Sequence, residues 1–157
     1  MDLIFDDDHH DVTIKWSRPV ELTAKGVPEH ENELLYLITA HGDGAEKMVY
    51  VGQAYSQPVA VRIAQPDHIK KQREWAQRFP GHRFKVRRGL VSLKQGKISV
   101  KKINSIEAVL IYCFDSEHCM NGKARFRAAI SGHYEISNTG FKSGLPRRLG
   151  YGFYEHR

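Results

Sequence analysis

The segment 49–54 constrains the fold most, because its sequence VYVGQA places a tyrosine on an apolar strand directly before a glycine. The earlier segment 34–39, LLYLIT, predicts a second strand, and the turn-forming residues 41–44, HGDG, lie between the two. Because side chains alternate along a strand, Tyr36 and Tyr50 each share a face with apolar neighbours. The two segments therefore predict a hairpin with one tyrosine on each strand.

Helix signals follow the hairpin. The fixed φ of Pro58 suits a first helical turn, so a helix is predicted from there to about Ala64, and Pro66 ends it. Asp67 is predicted to cap a second, amphipathic helix over residues 68–79.

A third strand and a third helix complete the central part of the chain. Residues 83–91 alternate basic and apolar side chains, which predicts a strand with a basic face. Asn104 or Ser105 is predicted to cap a helix that runs to Cys113. The helix is almost continuously apolar and is expected to be buried. Glu107 is the exception on it.

The chain length of 157 residues predicts one compact domain with extensions. Residues 34–125 are predicted to form that domain. Residues 1–33 are expected to be an irregular extension with one short strand over 11–16. Residues 126–157 are expected to be a basic and aromatic extension, mostly loop, with a short strand near 136–140 that could contact DNA.

Positive charge is concentrated in one part of the sequence. The formal net charge is +6, and thirteen Lys or Arg residues lie between Arg62 and Lys102, against two acidic residues, Asp67 and Glu74. A field of this kind attracts polyanions, and nucleic acid is the expected partner. A solvated basic face is the alternative explanation.

The sequence predicts an intracellular, cytoplasmic protein. No apolar run approaches the roughly 20 residues needed to cross a bilayer, so no membrane contact is expected. Residues 1–11 are acidic, unlike a secretory signal. Cys113 and Cys119 are the only cysteines and are expected to be reduced thiols.

The tyrosine hairpin resembles the two-part signature of the GIY-YIG nuclease superfamily. Leu35-Tyr36 stands where the first half has Ile-Tyr, and residues 50–52, YVG, stand where the second half has Tyr-Ile-Gly. Family members also carry an arginine after the second half, a glutamate on a later helix and an asparagine downstream. Arg62, Glu107 and Asn121 follow in that order.

The resemblance implies an α/β (α+β) fold with a small, mainly antiparallel three-stranded sheet flanked by helices. It also implies a DNA endonuclease of the restriction, homing, phage or mobile-element type that depends on Mg²⁺ or Mn²⁺. A homodimer or two successive nicks would be needed to cut both strands.

The family's site implies a role for each matching residue. Tyr50 would help to deprotonate water, with Tyr36 as its relay or positioning partner. A free phenol has a pKa of about 10, so either a nearby Mg²⁺ or arginine would lower the pKa of Tyr50 or its proton would be relayed onward. Arg62 would bind the phosphate, Glu107 would hold the metal, and Asn121 would organise the end of the site.

His68 is a further candidate catalytic residue. Family members carry a histidine or tyrosine four residues after the arginine, whereas His68 lies six residues after Arg62, with Pro66 between them. Residues predicted to contact nucleic acid are basic: Arg62, Lys70, Lys71, Arg87, Arg88, Lys101, Lys102, Arg147 and Arg148.

Two departures from the signature favour an alternative function. Leu34 stands where the signature has its first glycine, and Gln53 stands where some members have a lysine. The alternative is a non-catalytic nucleic-acid-binding module on the same fold, with Glu107 in a structural ion pair. A ribonuclease is a third candidate.

Overall fold

The computed structural model describes residues 9–22, 33–113, 120–121, 132–150 and 153–155. The predicted thiol Cys119 lies outside these ranges. Within them the chain forms eight strands and three helices. In chain order these are β1 (His9–Trp16), β2 (Val20–Glu21), β3 (Glu33–His41), β4 (Lys47–Gln53), α1 (Val59–Ile63), α2 (Pro66–Arg78), β5 (Arg83–Leu93), α3 (Val100–Cys113), β6 (His133–Gly140), β7 (Arg148–Gly150) and β8 (Phe153–Glu155).

All the described strands belong to one mixed sheet. Seven of them follow the order β4-β3-β5-β1-β6-β7-β8, and the short β2 pairs with β5. Neighbouring strands run antiparallel, except that β1 and β6 run parallel. The N-terminal strand therefore lies in the middle of the sheet.

The predicted fold class, a small three-stranded sheet flanked by helices, is wrong. The described residues form a curled half-barrel that is 42% strand and 27% helix. Strands from residues 1–33 and 126–157, which were expected to be extensions, widen the sheet. Alternation of side chains shows that a segment has a buried face, but it does not show which distant strand pairs with it. That is why the predicted sheet was too small.

The three helices occur where the sequence predicts them, but two of them begin at other residues. Pro66, expected to end the first helix, is the first residue of α2. α3 begins at Val100 rather than near Asn104, and the backbone N–H of Lys102 donates to Ser99 Oγ over 3.2 Å, as at a capped helix start. None of the described helices has the length and apolar character needed to span a membrane.

The sheet separates two apolar clusters. One cluster joins α3 to β1, β5, β6 and β7 and contains Ile14, Trp16, Ile103 and Leu110. The other lies on the opposite face, under α1 and α2. Both tyrosines of the predicted hairpin belong to this second cluster. The candidate site is therefore built where α1 and α2 cover the hairpin.

Candidate active site

The β3–β4 hairpin brings the two tyrosines onto one face of the sheet. Tyr36 pairs with Gly52 and Ile38 pairs with Tyr50, so both phenol rings project in the same direction. Their ring centroids are 6.2 Å apart, with the ring planes inclined by 28°. Both side chains are buried, Tyr36 at 0% and Tyr50 at 5% exposure. The pair is thus a packed feature of the hairpin.

Gly52 leaves the space that Tyr36 occupies. A Cβ atom built on Gly52 would lie 2.2 Å from Cζ and 2.3 Å from the hydroxyl oxygen of Tyr36. No residue with a side chain fits at this separation. The glycine that follows the second tyrosine in the sequence is therefore required by the first tyrosine.

His68 joins the pair from the start of α2. Its ring centroid lies 5.5 Å from that of Tyr36, 6.2 Å from that of Tyr50 and 5.4 Å from that of Trp75. The ring is fully buried. Pro66 is the first residue of α2 and does not separate His68 from the site. His68 therefore reaches the cluster although it lies six residues after Arg62.

The hydrogen bonds of Gln72 assign the tautomer of His68. Gln72 Nε2 donates to the carbonyl oxygen of Ile63 over 2.7 Å, and the same nitrogen lies 2.8 Å from His68 Nδ1. Since a carbonyl can only accept, Gln72 Nε2 is the donor to both atoms and His68 Nδ1 is an acceptor. The proton of the neutral ring is therefore on Nε2, which has no hydrogen-bond partner among the described residues.

His68 remains uncharged at neutral pH. Its pKa is lowered from 6.5 to about 4, because burial disfavours the charged ring and the positive charges of Arg62 and Lys71 oppose it further. His68 therefore contributes a neutral N–H donor to the cluster.

The depressed pKa of His68 predicts a loss of stability in mild acid. As the pH falls from 6.5 towards about 4, histidine in the unfolded chain binds a proton that His68 in the folded chain does not. The native state should lose stability across this interval and keep it above pH 6.5. Thermal unfolding at pH 7.5 and pH 5 should show a smaller pH effect in a His68→Gln variant. Equal pH effects in both proteins would contradict this assignment.

Arg62 lies on α1 with its guanidinium held by two neighbours. Nη1 and Nη2 donate to the two carboxylate oxygens of Asp67 over 3.1 and 3.0 Å, and Nη1 also donates to Gln65 Oε1 over 2.9 Å. These hydrogen bonds hold the pKa of Asp67 below its usual value. In this structure Asp67 occupies the fork of donors that would hold a phosphate.

Lys71 contacts Tyr50 directly. Its Nζ donates to the Tyr50 hydroxyl oxygen over 2.9 Å and lies 5.0 Å from the centroid of the phenol ring. Lys71 was predicted to contact nucleic acid, and its contact with Tyr50 was not predicted. The helical spacing of His68, Lys71 and Trp75 puts all three on one face of α2, and that spacing was a signal for it.

The hydroxyl of Tyr36 lies in the field of groups from three helices. Its pKa is raised well above 10, chiefly by burial and then by Tyr50. Arg62 opposes the rise, whereas the carboxylate of Glu107 adds to it. Tyr36 therefore stays protonated at neutral pH. Arg62 and Glu107 thus both influence Tyr36 electrostatically, although α3 packs on the other face of the sheet.

Glu107 is buried on α3, with a relative exposure of 5%. A hydrogen bond from Gln53 Nε2 to Asn104 Oδ1 ties the start of α3 to the end of β4. Asn104 precedes Glu107 by one helical turn, so this bond keeps the Glu107 turn close to the hairpin. Gln53 therefore connects the end of β4 to the start of α3.

Asn121 fixes the outer strand of the hairpin. Its Oδ1 accepts from the Val51 N–H over 3.0 Å, and its Nδ2 donates to the Val51 carbonyl over 2.8 Å. The amide therefore pairs with the edge strand β4 as another strand would. This geometry makes Asn121 a positioning residue for Tyr50 and Gly52, which flank Val51.

Two of the predicted nucleic-acid contacts are buried in the sheet instead. Arg87 donates to both carboxylate oxygens of Glu46 over 3.0 and 2.9 Å. Arg88 donates to Glu33 over 2.8 Å. Their side chains are only 7% and 11% exposed. Arg87 and Arg88 thus have structural roles in ion pairs. Strand alternation predicted a basic face because it does not reveal acidic partners from other parts of the chain.

The other predicted contacts are spread over several surfaces. Lys70, Lys101 and Arg147 are exposed on α2, α3 and the loop before β7. Lys102 donates to the backbone carbonyl of Lys97 over 2.7 Å, and Arg148 forms an ion pair with Glu135. Among these residues, Lys70 lies on α2 together with Lys71, and the others lie on other elements than Arg62 and Lys71.

A second group of metal-ligand types lies on the other half of the sheet. Ligand atoms of His9, Asp11 and Glu135 are within 4.8 Å of one another. Glu135 is paired with Arg148, and Lys94 Nζ lies 3.9 Å from an Asp11 carboxylate oxygen. The two cations oppose a bound metal here, and we assign none.

Comparison with known proteins gave no match: no protein-family model, curated protein or solved structure is similar to this chain. The function of the cluster is therefore inferred from its residues and their geometry.

Proposed function

We propose that this chain is a metal-dependent DNA endonuclease with a site of the GIY-YIG type. One observation carries the proposal: Tyr36, Tyr50 and His68 pack with ring centroids 5.5 to 6.2 Å apart. Arg62 and Glu107 both act on the hydroxyl of Tyr36. The ring contacts of Tyr36, Tyr50 and His68, which come from β3, β4 and α2, support this proposal. An enzyme acting on DNA would work inside the cell, in the cytoplasm.

The residues of the cluster can divide the work of hydrolysing a phosphodiester. Water must lose a proton, positive charge must offset the negative charge of the transition state, and the leaving oxygen must be stabilised. Tyr50 is the general base, and its oxygen accepts a hydrogen bond from Lys71. Arg62 binds the phosphate through its fork of donors. Tyr36 and His68 are neutral and fully buried beside Tyr50, so their role is to position Tyr50.

The residues present fit a divalent metal at Glu107. Its carboxylate is a hard oxygen ligand, and Mg²⁺ is commonly held by one or two carboxylates together with waters and substrate phosphate. His68 carries its proton on Nε2, which has no hydrogen-bond partner in the described part of the chain, so His68 is a donor and not a ligand. When bound, Mg²⁺ (or Mn²⁺) would supply Lewis-acid stabilisation to the leaving 3′ oxygen.

A non-catalytic nucleic-acid-binding module is the second candidate. It is favoured by the closed fork of Arg62, whose donors already bind Asp67. A ribonuclease is a third candidate, and competition between DNA and RNA substrates separates it from the first.

The test is incubation of purified protein with supercoiled plasmid and with long genomic DNA, in Mg²⁺ or in EDTA. Nicks or cuts that require Mg²⁺ and disappear in a Tyr50→Phe variant are expected. If wild-type protein cuts neither DNA but binds both in a salt-sensitive manner, the binding module is correct. If it cuts RNA alone, the ribonuclease is correct.

Removing the carboxylate of Asp67 should strengthen DNA binding. In Asp67→Asn the guanidinium of Arg62 is free to bind a phosphate. An exposed ion pair of this kind corresponds to about a 2- to 5-fold gain in affinity for DNA. Fluorescence anisotropy with duplex DNA and no Mg²⁺ measures this. Glu74→Gln removes the same charge from α2 and controls for net charge. Equal gains in the two variants would mean that Asp67 does not compete with the phosphate.

A further inference from the structure

The general base of the proposed site needs a positive charge beside its oxygen. A phenolate is costly to form in a buried place unless a cation or a hydrogen-bond donor stabilises it. Tyr50 is only 5% exposed. The signature position that supplies a lysine in some GIY-YIG nucleases holds Gln53, whose amide is bonded to Asn104.

The groups that face Tyr50 identify the source of this charge. His68 on α2 is neutral, because its pKa is about 4. Tyr36 on β3 is a neutral phenol. Arg62 on α1 has its donors on Asp67. Glu107 on α3 raises the pKa of the neighbouring Tyr36 hydroxyl.

Lys71 is the remaining charged group and is in direct contact. Its Nζ lies 2.9 Å from the Tyr50 oxygen. Among the described residues, Lys71 is the cation that hydrogen-bonds this oxygen. A donated hydrogen bond from an ammonium to a phenol oxygen is stronger than one from a neutral donor and favours the deprotonated form. The half-buried position of Lys71 on α2 reduces the screening of this charge.

We propose that Lys71 is a positioning residue: its ammonium group, hydrogen-bonded to the Tyr50 oxygen, stabilises the phenolate that forms when Tyr50 acts as a base. The catalytic part of this inference rests on the proposed function. Tyr50 first releases its proton to solvent. The phenolate then takes a proton from water, and the resulting hydroxide attacks phosphorus while the bond from phosphorus to the 3′ oxygen breaks. Tyr50 ends this step as a neutral phenol beside the Lys71 ammonium.

Kinetics test the role in catalysis. Lys71→Met should lower kcat at neutral pH by about 10²-fold, within the range for general-base catalysis, with little change in KM. The rate should recover as the pH rises, because hydroxide in solvent can then deprotonate Tyr50 without help. Lys71→Arg should restore part of the rate. Arg73→Met removes one charge from an exposed position of α2 and should leave the pH profile unchanged.

A spectroscopic titration tests the same contact without any substrate. Tyrosinate absorbs in the ultraviolet where tyrosine does not, and subtracting a Tyr50→Phe titration isolates the signal of Tyr50. This signal should appear at a lower pH in wild-type protein than in Lys71→Met, measured against Lys71→Met/Tyr50→Phe. Circular dichroism at each pH confirms that all four proteins are folded.

The two experiments separate the inference from the proposed function. If wild-type protein cuts no nucleic acid but Tyr50 still titrates earlier in the presence of Lys71, the nuclease fails and the coupling of Lys71 to Tyr50 stands. If the Tyr50 signal appears at the same pH with and without Lys71, the inference is overturned, whatever the activity. A uniform loss of rate at all pH values in Lys71→Met also overturns it, because a purely structural lysine would have that effect.

Discussion

Glu107→Gln is expected to reduce Mg²⁺-dependent cleavage by on the order of 10³-fold while leaving DNA affinity at low salt nearly unchanged. Glutamine has almost the shape of glutamate, so packing on α3 should be retained. It lacks the negative charge that a divalent cation requires. Rates come from plasmid nicking assays across a range of Mg²⁺ concentrations, and affinities from anisotropy with Mg²⁺ omitted.

Two comparisons distinguish a metal ligand from a structural glutamate. Mg²⁺ should raise the melting temperature of wild-type protein and have a smaller effect on Glu107→Gln, since only a protein that binds the ion is stabilised by it. Glu74→Gln, with the same charge change on the exposed face of α2, should respond to Mg²⁺ as wild type does. A large fall in melting temperature for Glu107→Gln without Mg²⁺ would instead assign Glu107 to a structural ion pair.

Gly52→Ala is expected to destabilise the fold by about 3 kcal/mol or more, near the upper end for overpacking of a core. The added methyl group would lie 2.2 Å from Cζ of Tyr36. The ring is fully buried and cannot rotate into solvent. Chemical denaturation measures the loss, and cleavage should fall with it because Tyr36 must leave its position.

A double-mutant cycle shows whether the clash with Tyr36 is the cause. In a Tyr36→Val background the space over Gly52 is open, so the same Gly52→Ala change should cost much less. Gly144→Ala is the matched single change, because its Cβ would meet only the flexible end of Met48, at 3.2 Å. Equal costs of Gly52→Ala with and without the Tyr36 ring would mean that the backbone of β4, and not the ring, requires glycine.

Much of the candidate site could be predicted from the sequence because its residues lie in local patterns. A tyrosine two positions before Gly52 on a short apolar strand indicated the hairpin and the apolar neighbours of each tyrosine. The lone carboxylate of Glu107 on an apolar helix was recognisable in the same way. Each of these signals depends only on residues a few positions apart, so it can be seen in one sequence.

What could not be predicted depends on contacts between distant segments. The acidic partners of Arg87 and Arg88 lie 41 and 55 residues earlier in the chain, so the strand looked like a basic surface. The contact of Lys71 with Tyr50 joins residues 21 positions apart. The width of the sheet was missed for the same reason, because alternation gives the faces of a strand and not its partners.

The position of β1 also determines how the sheet must be assembled. β1 pairs along its full length with β6, so each residue of β1 has a partner more than 120 positions later in the chain. A chain that is still being synthesised can form the β3–β4 hairpin and add β5 early, but one side of β1 remains unpaired until β6 is made. Pairings of this kind slow folding, because the entropy of closing a long loop is lost before the contacts form. The tyrosine hairpin is therefore expected to form before the outer half of the sheet closes.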